Sequence, residues 1–339
     1  MRGPSFRLSS LLSLCASIRA MSTTTTATKQ KASGPIAAIA QLRSTSNKLQ
    51  NLLDIATCAR MAKDRGACML FLPECFGFMG ESSVQTLEQA ESPILEDTNV
   101  NDDLVTQQLT RALSSSNSQS TEQKLDLDRQ VQKIHLLDGL RTIARESKMW
   151  ISGGGMHVLG APSDPVSGNP RVYNTHVILD DQGQVKAIYR KVHLFDVSIP
   201  GKVQLRESAT TAPGTELVVC DSPIGKLGLS VCYDMRFPEM YIPLVQRGAQ
   251  ILLAPSAFTV PTGAAHWHTL LKARAIENQC YVIAAAQYGR HNDKRESFGH
   301  SLAIDPWGRI IADAGGYPVE GSDPTQVPTV ADPPSIVTV

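Results

Sequence analysis

Short apolar runs alternate with stretches of helical periodicity along most of this chain, and two pairs of runs are joined by tight turns. That rhythm narrows the fold more than any other feature. Residues Ile36–Leu42 and 68–72 read as strands on either side of a helix over 47–65. A helix over 131–148 is followed by strands near 149–153, 172–179 and 184–190. The second half repeats the pattern. It has strands at 216–220 and 226–232, a helix after Pro238, a strand at 251–254, a helix over 266–278, and strands at 281–286 and 300–305. The turns Asp181-Gln182-Gly183 and Pro306-Trp307-Gly308 each join two strands as a hairpin. Strand–helix–strand crossovers give parallel neighbours and hairpins give antiparallel ones, so the sheets are mixed. The expected fold is a layered α/β sandwich.

The chain has 339 residues, 42% of them hydrophobic, enough for a large core. Its 32 basic and 32 acidic residues cancel, which removes the electrostatic case for a nucleic acid or an anionic membrane as partner. No run approaches the roughly 20 apolar residues that span a bilayer. A small-molecule partner is the default. The seven cysteines (15, 58, 68, 75, 220, 232, 280) are odd in number and lack CxxC spacing, so they predict neither a disulfide framework nor a zinc ribbon.

Residues 1–33 carry Arg2, Arg7, Arg19, Lys29 and Lys31, many Ser and Thr, and the first acid is Asp54. This is the composition of a mitochondrial presequence, with an unstructured tail and a weak secretory segment as the other readings. Met21 offers a second start and a cytosolic form, so mitochondrial and cytoplasmic locations are both expected. One domain is expected over 34–339, with a polar surface insertion at 98–128. The final run Ser335-Ile-Val-Thr-Val339 is β-prone, and either precedes a missing C-terminal segment or docks on a sheet edge.

Residues 228–239, Gly-Leu-Ser-Val-Cys-Tyr-Asp-Met-Arg-Phe-Pro-Glu, place one cysteine at the end of an alternating run, just before a proline that suits the first turn of a helix. A strand through Leu227, Leu229 and Val231 would turn Cys232 to the opposite face. Pro243 should kink or shorten the helix that follows. Free N–H groups at such a corner, and a helix N-terminus, favour a thiolate. Three further segments offer groups that a thiol nucleophile needs. Phe71-Leu-Pro-Glu74 sets Glu74 just past a buried strand, Tyr189-Arg-Lys191-Val-His-Leu-Phe195 sets Lys191 at a strand end, and Glu207 lies in a loop before the strand ending at Cys220. A lysine about 4 Å from a thiolate attracts it by roughly 4 kcal/mol at an effective dielectric of 20. Singly, each residue has a plainer reading: a buried structural cysteine, a capping glutamate, a solvated lysine.

Together, Leu72-Pro-Glu74, Tyr189-Arg-Lys191-Val-His-Leu-Phe and Ser230-Val-Cys232-Tyr-Asp-Met-Arg236-Phe-Pro-Glu resemble the Glu, Lys and Cys signatures of the nitrilase superfamily, in the same order. The resemblance runs from about Pro35 onward. It implies a four-layer α-β-β-α sandwich with two mixed β-sheets, and a homodimer or higher homo-oligomer. It implies no cofactor and no metal. Glu74 would be general base, Lys191 oxyanion stabiliser, Cys232 nucleophile, and Glu207 the residue that orients groups and assists proton transfer. Tyr233 would lend its backbone N–H to the oxyanion. Within the superfamily the Nit branch is the nearest likeness, and there Arg236 would hold a substrate carboxylate; a salt bridge to Asp234 or Glu239 is its structural alternative.

The stretch from Ala284 to Ser301 resembles the subgroup acting on deaminated glutathione rather than the ω-amidases, which act on 2-oxoglutaramate. The implied products are 2-oxoglutarate and cysteinylglycine. The family commonly reads His-Trp-Glu where this chain has His266-Trp267-His268. A cysteine-protease pairing would use His193, His266 or His268 instead, and a noncatalytic protein would keep the fold as an interaction platform. A metal on His266 and His268 is disfavoured because two-residue helical spacing points the rings apart. Gly153-Gly-Gly155 lacks the Lys-Ser/Thr of a phosphate loop.

Overall fold

The computed structural model describes residues 34–93, 103–114, 134–199, 203–318 and 334–339. The expected presequence, and 98–128 apart from 103–114, lie outside the described residues. The chain enters through β1 (Ile36–Leu42), α1 (Lys48–Asp64) and β2 (Ala67–Phe71). Asn47 caps α1 by accepting from the Gln50 N–H at 3.0 Å. Helices α2 (Ser83–Glu88), α3 (Asp103–Ser114) and α4 (Leu136–Ser147) follow, then β3 (Trp150–Val158), β4 (Tyr173–Leu179) and β5 (Val185–Arg190). A two-stranded hairpin, β6 (Asp196–Ile199) and β7 (Val203–Arg206), leads to β8 (Val219–Ser222), β9 (Gly225–Gly228) and α5 (Pro238–Gln246). The chain continues through β10 (Ile251–Leu253), α6 (Val260–Asn278), β11 (Tyr281–Ala284), β12 (Ala286–Arg290), β13 (Glu296–Phe298), β14 (Leu302–Ile304), β15 (Ile310–Asp313) and β16 (Ser335–Thr338).

Two sheets result, both mixed as expected. One runs β13-β12-β1-β2-β3-β4-β5, and the other β15-β14-β11-β10-β9-β8. The run at the C-terminal end docks antiparallel on β1, pairing Ala38 with Thr338 and Gln41 with Ser335, beside the short parallel contact of β1 with β12. Strand alternation then sorts the core into layers. Ala38, Ala40, Leu42 and Leu70 pack with α1 and α4 on the outer side, whereas Ala37, Ile39, Met69 and Phe71 face the second sheet. Leu244 of α5, and Trp267 and Leu271 of α6, join this second core, which completes the α-β-β-α order.

Several local expectations need correction. Helix α3 lies inside the stretch read as a polar insertion and sends fully buried Leu109 into the outer core, so this part of 98–128 is not mere surface. The strand expected to run to Cys232 stops at Gly228. Glu207, expected in a loop, opens a 3₁₀ turn directly after the β6–β7 hairpin, which the sequence reading did not anticipate. The glycines at 153–155 are buried strand residues of β3: a Cβ on Gly154 would stand 2.1 Å from the Leu72 carbonyl oxygen, and one on Gly155 3.3 Å from Glu74 Cγ. They make room for the segment that carries Glu74. Among the described residues no helix is long and apolar enough to cross a membrane.

Burial holds His176 and His291 neutral, and their partners fix the tautomer. In each ring Nδ1 faces a carbonyl oxygen, of Ser230 at 3.1 Å and Ser44 at 2.8 Å, so Nε2 accepts from a serine hydroxyl. Burial lowers both to about 4, from an unfolded value near 6.5. The unfolded chain binds more protons between those values, so stability is complete above pH ~6.5 and falls as pH drops toward 4, by up to about 1.4 kcal/mol per pH unit per histidine. The urea midpoint should therefore fall between pH 7 and pH 5. His176→Gln, which takes up no proton in either state, should show a shallower fall.

Candidate active site

After β9 the chain stays extended to Val231, then Cys232 turns into the left-handed region with φ 50° and opens a short 3₁₀ turn, Cys232–Arg236. Pro238 starts α5 two residues later, and Pro243 sits inside that nine-residue helix. The left-handed backbone costs a non-glycine residue roughly 1–2 kcal/mol, so its surroundings must enforce it. They do so through Asp234, which is fully buried. Its Oδ2 accepts from the Val231 N–H at 2.9 Å and the Tyr189 hydroxyl at 2.6 Å, and its Oδ1 accepts from the His193 N–H at 2.9 Å. Asp234 thus ties the nucleophile's turn to the segment that bears Lys191. The Cys232 N–H is spent on the Pro255 carbonyl at 2.9 Å, while the Tyr233 N–H meets no protein acceptor among the described residues.

Glu74, Lys191 and Glu207 meet at this corner. Glu74 follows β2, Lys191 follows β5, and Glu207 opens a 3₁₀ turn directly after β7. Lys191 Nζ lies 3.0 Å from Glu74 Oε1 and 3.0 Å from both carboxylate oxygens of Glu207. Asn174 Nδ2 donates to Glu74 Oε1 at 2.8 Å, and the Ala257 N–H donates to Glu74 Oε2 at 3.1 Å. Glu207 Oε2 also accepts from the Phe195 N–H at 2.7 Å. Glu74 and Lys191 are almost completely buried, whereas Cys232 is half-buried.

Burial alone would neutralise these groups, but their mutual attraction prevents it. Burial pushes the Glu74 carboxyl up, yet the Lys191 ammonium and hydrogen bonds from Cys232 and Lys191 bring it below its ordinary value. Burial pushes the Lys191 amine down, yet Glu207 and Glu74 raise it well above its ordinary value. Cys232 goes the other way from the sequence expectation: burial and the Glu74 carboxylate push its thiol well up, against the smaller opposing pull of Lys191. The resting site therefore holds a neutral thiol hydrogen-bonded to an ionised Glu74, not a thiolate. Neighbouring Cys75, also left-handed at φ 58°, is pushed up to about 12 by burial and by Glu74.

Arg236 and Tyr233 lie on the same short turn as Cys232. The guanidinium lies 5.7 Å from the ring centres of Tyr233 and Phe258, and its Nη2 is 3.2 Å from His266 Nδ1. Neither alternative salt bridge forms: Asp234 is committed elsewhere, Glu239 is exposed, and Arg236 has no carboxylate partner among the described residues. None of the three histidines weighed as a base pairs with Cys232. His193 bonds Asp234 at 2.9 Å and stacks on Phe237, His266 bonds Arg236, and His268 lies 3.5 Å from Asp313 in a separate cluster with His300. Asn174, the Ala257 N–H and the tie through Asp234 were not legible beforehand. Each acts through a contact across 41 to 183 residues of chain, and no local pattern marks it.

A buried cation between two carboxylates, beside a thiol on a strained corner, is the equipment of a hydrolase that forms a thioester. The model of the carbon–nitrogen hydrolase family matches residues 36–320. A deaminated glutathione amidase of Bos taurus is 42% identical over 82% of this chain and 72% of its own length. One of Dictyostelium discoideum is 42% identical over 81% of each. The crystal structure of Saccharomyces cerevisiae Nit3, a member of branch 10 of the nitrilase superfamily, superposes with a TM-score of 0.62 and 29% identity over 83% of this chain and 86% of that one. The chain belongs to the carbon–nitrogen hydrolase family, within the nitrilase superfamily.

Removing the charge of Glu74 removes one of the two forces that raise the thiol while leaving Lys191 in place. Glu74→Gln should therefore lower the Cys232 pKa, read as the pH dependence of thiolate absorbance near 240 nm, while turnover is lost. An unchanged or raised value would contradict this account of the resting thiol.

Proposed function

We propose that this chain hydrolyses the amide bond of deaminated glutathione, giving 2-oxoglutarate and cysteinylglycine, through a thioester on Cys232. Attack by sulfur on the amide carbonyl sends the thiol proton to Glu74, already its hydrogen-bond partner at rest. The oxyanion is held by Lys191 Nζ and the Tyr233 N–H. Collapse of the tetrahedral species breaks the C–N bond as Glu74 gives the proton to the departing amine. A water then gives a proton to Glu74 and adds to the thioester. The second collapse releases the carboxylate and restores the thiol. Glu207 keeps the ammonium charged and aimed by holding Lys191 through both carboxylate oxygens, so it acts as a positioning residue.

The observation that carries the substrate class is Arg236, a cation on the short turn that Cys232 opens, with no acid of its own among the described residues. A guanidinium fork suits the carboxylate of a 2-oxo acid. The names of the relatives point to the same substrate. The family resemblance further implies a homodimer, measurable by sedimentation.

Cys232→Ala should lose at least roughly 10³-fold in kcat with the fold retained. On the wild-type enzyme, kcat/KM should favour deaminated glutathione over 2-oxoglutaramate. Equal or reversed preference would replace this substrate by that of an ω-amidase. Full activity in Cys232→Ala would remove the thioester route altogether.

A further inference from the structure

A second guanidinium without a carboxylate partner among the described residues, that of Arg295, belongs to a hairpin fastened beside Glu74. Strands β12 and β13 form a hairpin whose tip, 291–295, closes with the His291 N–H donating to the Arg295 carbonyl at 3.0 Å. The hairpin is fastened beside Glu74. Gln287 Nε2 donates to the Glu74 carbonyl at 3.0 Å and to the Ser44 hydroxyl at 2.8 Å, and Gln287 Oε1 accepts from the Ser44 N–H at 3.0 Å. At the tip, His291 Nδ1 donates to the Ser44 carbonyl at 2.8 Å, and Asn292 Nδ2 reaches the Gly80 carbonyl at 3.5 Å.

The nearby acids are already committed. Glu296 accepts from the Tyr317 hydroxyl, and Asp293 pairs with Arg290 at 3.0 Å. Half-buried Arg295 has no carboxylate partner among the described residues. Its charge is felt inside the site, where it adds a small share to the lowering of Glu74 and His157 and opposes the rise of Cys75.

The chemistry of the reaction assigns a side to this cation. Glu74 gives its proton to the departing amine, so the leaving group must lie against Glu74. In deaminated glutathione that leaving group is a dipeptide ending in a carboxylate. Two extended residues reach about 7 Å, and the hairpin whose tip carries Arg295 is fastened to the backbone of Glu74. We propose that Arg295 binds the terminal carboxylate of the leaving peptide, while Arg236 binds the carboxylate of the 2-oxo acyl half, so that the site reads both ends of a doubly anionic amide. This rests on the substrate reading above and adds a specificity residue to it. An amide whose leaving group is ammonia offers Arg295 nothing to hold.

The test compares deaminated glutathione, its analogue with the terminal carboxylate converted to an amide, and 2-oxoglutaramate, on the wild-type chain, Arg295→Gln and Arg295→Lys. Arg295→Gln should lower the ratio of kcat/KM for deaminated glutathione over 2-oxoglutaramate by about 10- to 100-fold, chiefly through KM, the scale expected for a charge-assisted hydrogen bond. Arg295→Lys should recover part of it. Blocking the carboxylate should cost the wild-type enzyme a similar factor, and should cost Arg295→Gln little more, because the two changes remove the same contact. An unchanged ratio, or additive losses from the variant and the blocked substrate, would overturn the role of Arg295. Failure of the wild-type chain to hydrolyse deaminated glutathione would instead overturn the substrate reading, and with it this inference.

Discussion

The site depends on one buried ammonium. Lys191 is 2% exposed, and a lone charge at such a place would cost several kcal/mol in lost hydration. Two carboxylates offset that loss, and each in turn is bearable there only because the lysine is present. The three groups are therefore one electrostatic unit assembled from three distant strand ends. Its charges sum to minus one, and burial together with the Glu74 carboxylate holds the adjacent sulfur in its neutral form. The same negative surplus lets Glu74 act first as an acceptor and then as a donor, since Lys191 keeps it ionised at rest without preventing it from taking a proton.

Everything around this unit serves to bring it together and keep water from dissolving it. Gly154 and Gly155 let β3 pass close enough to the Leu72–Glu74 segment for Asn174, on the neighbouring strand β4, to reach the carboxylate. Asp234 does the equivalent for the other half, fastening the Tyr189–His193 segment to the corner of the nucleophile. With Asp234 in place, the left-handed turn at Cys232 and the aim of Lys191 are fixed by one side chain. The Gln287 amide closes the third side by gripping the backbone of Glu74 itself.

Much of this was readable beforehand where the signal is local. β1 was legible residue by residue because its apolar run is broken only by Gln41, and Glu74, Lys191 and Cys232 stood out because each follows a strand-like run. The β6–β7 hairpin was missed because strands of four residues carry too little alternation to register. Helix α3 was taken for surface because one deeply buried leucine is a faint mark in a polar stretch. The protonation state of the thiol was misjudged for a different reason. The attraction of a lysine is easy to anticipate from its presence, whereas the opposing weight of burial and a nearer carboxylate depends on where the chain places them.

That resting thiol has a consequence for the life of the protein in a cell. Peroxides and adventitious electrophiles attack thiolates far more readily than thiols, and their damage climbs an oxidation ladder that becomes irreversible. Sulfur stored beneath its own proton, released only into a carboxylate when a carbonyl arrives in line, is exposed as a nucleophile only for the duration of each turnover. The carboxylate that makes the sulfur reactive thus also acts as its safety catch.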